Sequence, residues 1–394
     1  MTDPVFTLAT SSWDKKEIDA INRVVASGFF SMGKEVATFE KQFATFADTP
    51  YAVMVNSGSS ANLLMVAALR YHSKANLQPG DEVIVPAVSW STTYSPLYQY
   101  GLKLKFVDID LETLNFDLDA LEEAIGPKTR LIMAVNLLGN PNDYNKINAM
   151  IAGRDIYLIE DNCESLGATL GGQQAGTFGI AGSYSCFFSH HISTMEGGMV
   201  TTNDEELYHI MLSVRAHGWT RNLPENNLVT GQKSADAFEE SFRFVLPGYN
   251  LRPLEMSGAI GQEQLLKLPM IVGNRRKNAV LFKDVVREFG DVISQKEIGE
   301  SSWFGFSMVI NPECNIDRSV LLDNLQKSGV ECRPIVAGNF AKNKVVEKYF
   351  DYEISGNLKN AEYIDGAGLF IGNHHYPLEK EMEALRTALK GAFC

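Results

Sequence analysis

The stretch Ser189-His190-His191-Ile192-Ser193-Thr194-Met195-Glu196-Gly197-Gly198 puts two imidazoles and a carboxylate on one turn. Imidazole is the side chain best suited to accept and return a proton near neutral pH. The turn follows a small, aromatic run, Ser183-Tyr184-Ser185-Cys186-Phe187-Phe188, and precedes Met199-Val200-Thr201-Thr202. The pattern predicts strand, exposed turn, strand, with Gly197-Gly198 letting the backbone bend or meet a ligand closely. No Lys occurs between Lys146 and Lys233, so no amine near this turn can bond covalently to a carbonyl ligand. A second acid, Asp161, stands where the apolar strand Ile156-Tyr157-Leu158-Ile159 runs into Glu160-Asp161-Asn162-Cys163-Glu164. Open α/β sheets place ligand contacts at the carboxyl ends of such strands, although Asp is also an ordinary helix N-cap.

Two further segments suit anions. Tyr51-Ala52-Val53-Met54-Val55 reads as a strand that passes through Asn56-Ser57-Gly58-Ser59-Ser60-Ala61 into an apolar helix. Free amides and the helix dipole at such a junction favour a phosphate, although Ser and Gly also simply cap helices. Downstream, Ser213-Val214-Arg215-Ala216-His217-Gly218-Trp219-Thr220-Arg221-Asn222 spreads His and Arg beside Gly. That suits a loop meeting phosphate oxygens, or a solvated surface loop.

The elements that must hold these groups alternate. Helices are predicted over residues 15–26 and from Lys34, and strands over 81–86, 104–108 and 130–137. A helix starts near Asp117, and the chain then enters the 156–159 strand. Alternating strand and helix marks a mostly parallel sheet covered on both faces. A long helical region from Ala259 to about Val286 carries Pro269, expected as a break. Beyond it, strands at 303–310 and 331–336 and helices at 317–328 and 379–389 predict a smaller C-terminal α/β domain. The division expected is 1–260 for the large domain and 261–394 for the small one.

In order and spacing, Gly58-Ser59, Trp90, Asp161, Ser185, position 190, Glu196-Gly197-Gly198 and Asn250-x-Arg252 resemble the DegT/DnrJ/EryC1/StrS sugar aminotransferase family, which uses pyridoxal phosphate. The resemblance covers nearly the whole chain and implies the aspartate aminotransferase-like fold (fold type I) acting as a homodimer. It implies that Gly58, Ser59 and Ser185 hold the cofactor phosphate and that Trp90, otherwise a core residue, lies on the pyridine face. Asp161 would pair with the ring nitrogen, and Glu164 would stand at the phenolic oxygen, where the family usually has Gln. Asn250 would reach the neighbouring subunit's cofactor phosphate, and Arg252 the neighbour's substrate or amino donor. His217 and Arg221 are expected to bind substrate.

One departure sets the expected reaction. The family's cofactor-bonding Lys is replaced by His190. A subgroup with His there catalyses dehydration, so the expected activity is loss of the C3 hydroxyl from a nucleotide-linked 4-keto-6-deoxy sugar. The cofactor would cycle between pyridoxal and pyridoxamine 5′-phosphate, with L-glutamate as amino donor and His190 as the catalytic base. An aminotransferase with an unusual base, an iron–sulfur dehydratase acting on a CDP-sugar, and an inactive nucleotide-sugar-binding relative are the alternatives. The iron–sulfur reading needs clustered Cys.

Composition narrows the setting. A formal net charge of −13 disfavours nucleic acid, so an anionic substrate needs local cations. Cys163, Cys186, Cys314, Cys332 and Cys394 are odd in number and scattered, which fits a reducing cytoplasm and argues against a disulfide framework or a metal site. No apolar run reaches membrane-spanning length, and the first residues lack the pattern of a signal peptide.

Overall fold

The computed structural model describes residues 4–394. Its centre is an eight-stranded sheet. The strands run in the order Tyr51–Val55, Gly198–Thr202, Ala181–Ser185, Tyr157–Asp161, Thr129–Val135, Glu82–Pro86, Lys103–Val107 and Tyr352–Ile354. All pairings are parallel except those of Gly198–Thr202, which runs antiparallel to both neighbours. Val53, Val83, Val85, Ile132 and Ile159 are fully buried, as strands covered on both faces require. This is the expected α/β architecture, and its parallel strands aim their carboxyl ends at one side of the sheet.

A second sheet of four antiparallel strands, in the order Val292–Ser294, Gly305–Ile310, Gly368–Gly372 and Cys332–Arg333, packs with the helices Arg318–Lys327 and Glu379–Phe393 around a separate core. That core takes in Phe6 from the other end of the chain. The strand Tyr352–Ile354 crosses back to the edge of the large sheet.

One helix, Glu255–Arg287, joins the two parts without interruption. Pro269 lies inside it and does not break it, contrary to the sequence expectation. An internal Pro costs a helix about 3 kcal/mol, but Leu268 and Val272 beside it are buried against the large-domain core. Packing on both sides of the proline outweighs the lost backbone bond. The strand expected over 331–336 is only Cys332–Arg333, because Pro334 lacks an amide and Val336 takes a left-handed φ of 41°.

Candidate active site

A cavity of about 700 Å³ lies at the carboxyl ends of the parallel strands, between the two sheets, within the size range of cofactor sites. Its floor is Asp161, the last residue of its strand and 6% exposed. Asp161 Oδ2 accepts from Thr93 Oγ1 at 2.7 Å and from Asn62 Nδ2 at 2.8 Å, and Oδ1 accepts from the Cys163 amide at 3.2 Å. Ser183 Oγ donates to Asn62 Oδ1 at 2.6 Å, which fixes that amide's orientation. The carboxylate therefore has only neutral donors and no internal cation, a setting that suits a cationic ring nitrogen.

The strand Tyr51–Val55 delivers Ser57, whose Oγ caps the helix Gly58–Tyr71 by accepting from the Ser60 amide at 3.1 Å. The first amides of that helix, at Gly58 and Ser59, lie beyond this cap and line the cavity. Gly198 opens the antiparallel strand alongside. A Cβ there would overlap the Ser57 carbonyl oxygen and come within 2.8 Å of the Gly58 amide nitrogen. The glycine thus lets the strand close against the helix N-terminus, leaving a cradle of amides for an anion. Ser185, at the end of its strand and nearly buried, completes that wall. Trp90 stands at the mouth, 58% exposed.

His190 enters from the turn after Ser185, and its ring lies 5.1 Å from that of Phe304. Its Nδ1 is buried with no hydrogen-bond partner. Burial, together with the Arg275 guanidinium nearby, pulls the imidazole down to about 4, so it is neutral at physiological pH. On the same cavity, burial raises the Glu164 carboxyl to about 7 against the pull of the Leu138 amide, and the Asp161 charge also raises it. The Leu138 amide donates to Glu164 Oε2 at 2.9 Å.

The turn is not the exposed loop predicted. Phe187, Phe188 and Met195 face solvent, but His191, Ile192, Ser193 and Thr194 are buried: Ser302 and Phe304 cover His191, Ile192 joins the core of Phe39, Phe43 and Met199, and Gln264 and Trp13 bond to the Ser193 backbone. His191 is 1% exposed and its Nε2 donates to the Ser302 carbonyl at 3.1 Å. It therefore supports the turn and does not reach the cavity.

The structure brings Gly58, Ser59, Trp90, Asp161, Glu164, Ser185 and His190 onto one cavity. It does not bring His217, Arg221, Asn250 or Arg252 there. Those four gather on another surface, where Arg221 lies 4.5 Å over the Trp219 ring, His217 packs against the same ring, and Arg252 Nε donates to Asn250 Oδ1 at 2.9 Å. Sequence reasoning missed Asn62, Thr93, Phe304 and Arg333. Arg333 is the only Lys or Arg on the cavity wall among the described residues. Asn62 could have been found from its place one turn beyond Ser59 on the same helix, whereas nothing near Arg333 in sequence signals the cavity.

The family model described as the DegT/DnrJ/EryC1/StrS aminotransferase family matches residues 11–386, and the chain belongs to that family. It is 59% identical over 385 residues to a GDP-4-keto-6-deoxy-D-mannose 3-dehydratase of Yersinia pseudotuberculosis, covering 98% of each chain. The structure of the E. coli GDP-4-keto-6-deoxy-D-mannose-3-dehydratase with bound hydrated PLP superposes with a TM-score of 0.97 at 58% identity, covering 98% of this chain and 100% of that one. A structure of GDP-4-keto-6-deoxymannose-3-dehydratase with a trapped PLP-glutamate geminal diamine matches with a TM-score of 0.96, 58% identity and the same coverage.

Proposed function

We propose that the chain removes the C3 hydroxyl of GDP-4-keto-6-deoxy-D-mannose. The products would be the 4-keto-3,6-dideoxy sugar and ammonia, with L-glutamate consumed to 2-oxoglutarate. The observation that carries this reading is His190 on a cavity whose amide cradle, buried carboxylate and aromatic mouth suit pyridoxal phosphate. When bound as the pyridoxamine form, the cofactor supplies an amine for the sugar's C4 carbonyl and a ring that accepts electrons. The amides of Gly58 and Ser59, with Ser185, hold its phosphate. Asp161 keeps the ring nitrogen protonated, and Trp90 covers the ring at the mouth. His190, neutral and opening onto the cavity, takes a proton from the carbon next to the ring and returns one to the departing C3 hydroxyl. Lacking an amine, it cannot hold the cofactor covalently. Arg333 offers the anionic substrate the local cation that a chain of net charge −13 must supply.

The working unit on this reading is a dimer of identical chains in the cytoplasm. The surface of His217, Arg221, Asn250 and Arg252 does not line its own cavity and is bordered by exposed Phe242 and Phe244, which fits completion of a neighbour's site. The five cysteines are free, and no described helix is long and apolar enough to cross a membrane. Incubation with cofactor, glutamate and GDP-4-keto-6-deoxymannose should release ammonia and the deoxy sugar in equal amounts. A stoichiometric 4-amino sugar would instead assign the chain to amino transfer.

A further inference from the structure

His190 sits in the middle of a loop whose two limbs are held very differently. The loop opens at Cys186 and closes at Thr194, whose amide donates to the Cys186 carbonyl at 2.9 Å. The outgoing limb carries Phe187 and Phe188, both facing solvent, and the His190 amide reaches back to the Phe187 carbonyl at 2.9 Å. The return limb, residues 191–194, is buried. A buried backbone needs partners for its amides and carbonyls, and a loop has no strand neighbour to supply them.

At Ser193 both partners are side chains from outside the loop. Gln264, fully buried on the long helix, accepts from the Ser193 amide through Oε1 at 3.0 Å, and Trp13 Nε1 donates to the Ser193 carbonyl at 3.0 Å. Each grip is itself held. Gln264 Oε1 also accepts from Ser12 Oγ at 2.7 Å, and its Nε2 donates to Glu17 Oε1 at 2.7 Å, so both ends of the amide are committed. Glu17, fully buried, accepts through Oε2 from the Asp14 amide at 2.7 Å and from Lys267 Nζ at 2.8 Å, and Lys267 Nζ donates to the Ser12 carbonyl at 3.2 Å. Further upstream the same N-terminal segment is anchored in the second domain. Phe6 lies in that domain's core, the Glu331 amide donates to the Phe6 carbonyl at 2.9 Å, and the Leu8 amide donates to Glu331 Oε2 at 2.9 Å. Trp13 is therefore fixed on both sides along the chain.

We propose that Trp13 and Gln264 are positioning residues for the proton transfer. Gripping the Ser193 backbone at its amide and its carbonyl, they fix the return limb and with it the place of the His190 ring in the cavity. A base must stand within hydrogen-bond reach of the proton it takes, so the transfer is more sensitive to a shift of this limb than substrate binding is. Neither residue lines the cavity, so their loss slows the transfer without removing a contact to the sugar. The inference rests on His190 being the base of the proposed reaction.

Trp13→Phe keeps the aromatic bulk and loses the donor. In a single turnover of the sugar half-reaction at saturating sugar, it should slow the step on the order of tenfold or more, within the range that a small misplacement of a reacting group costs. Deuterium on the cofactor carbon next to the ring should slow the variant by a larger factor than it slows native protein, and the half-saturating sugar concentration should not move. Gln264→Met, close in shape and without the amide, should act in the same direction. Ile147→Val loosens a separate core and should lower the melting temperature with rate and isotope effect unchanged. If it slowed the step as much as Trp13→Phe does, lost stability would be the cause and the proposal would fall. A folded Trp13→Phe protein with native rate and native isotope effect would also overturn it, and Gln264→Met decides by the same readouts should Trp13→Phe not fold. Hydrogen exchange of the cofactor-free chain, read by mass spectrometry, should quicken over residues 190–194 in both variants. Unchanged exchange there would refute the grip on the loop whether or not native protein releases ammonia, so this failure is distinct from a failure of the proposed reaction.

Discussion

Asp161 and Arg252 are both charges that the proposed chemistry uses, and the fold treats them in opposite ways. Asp161 is buried, and three donors from three separate segments fix both its oxygens. Arg252 sits on a surface, bonded only to Asn250 and leaning toward the Trp219 ring from 5.9 Å. On the proposed reading the first group would set the ionisation of a resident cofactor, so any freedom of position would be lost rate. The second would serve ligands that come and go. Its surroundings are left to be completed by what binds there.

Breaking the buried end should cost most. Asp161→Asn keeps the shape but leaves a ring cation unpaired, or the ring neutral. Both the glutamate and the sugar half-reactions should slow by on the order of 3–5 kcal/mol in barrier, as when one partner of a buried pair is removed. Single-turnover absorbance of each half-reaction checks this. A glutamate half-reaction at the native rate would remove Asp161 from the ring nitrogen.

Comparable in size is His190→Lys. The environment that depresses the imidazole, burial beside Arg275, should also depress a lysine, freeing its amine to bond to the cofactor aldehyde. Borohydride followed by intact mass should show the chain heavier by one reduced cofactor, and native protein should not. Ammonia release should fall about 10²–10⁴-fold, the usual weight of a positioned acid–base group. Undiminished release would show that position 190 does not choose the reaction.

How much of this was legible depended on sequence distance. Asp161 and the Gly58-Ser59 turn announced themselves because strand, turn and acid are local patterns. Arg275, Phe304 and Arg333 did not. Arg275 reads as one more charge on a long helix, and only the tertiary fold sets it behind a turn 85 positions away, counting from His190 to Arg275. The same distance hid the burial of His191 under Ser302 and Phe304, and that of Ser193 under Gln264. Pro269 failed as a stop signal because a local backbone rule met a larger packing term.

The exposed end can be sharpened by mixing chains. Asn250→Ala and His190→Ala should each be inactive. If each site takes Asn250 from one subunit and His190 from the other, the mixed dimer rebuilds one of its two sites. Random exchange would then restore roughly a quarter of native activity, as two-fold pairing dictates. Native mass spectrometry would verify the exchange. No recovery would place all the working groups in one chain.

The smallest expected effect tests the buried end without any substrate. The Glu164 carboxyl is raised to about 7 in the folded chain by burial, above its unfolded value of about 4.3. The folded protein therefore binds more protons than the unfolded one between those limits, so stability falls as pH rises through that window and levels off above it. Glutamine mimics the protonated form and can still accept from the Leu138 amide. His190, lowered to about 4 by burial and Arg275, acts in the opposite sense, with stability rising from about pH 4 to its unfolded value near 6.5. Glu164→Gln should therefore lose the falling contribution and keep the rising one. Measured against native protein, the melting temperature of the cofactor-free variant should gain steadily from pH 5 to 7.5. A difference that stays flat across that range would mean that Glu164 is ionised throughout and that Leu138 alone keeps it in place.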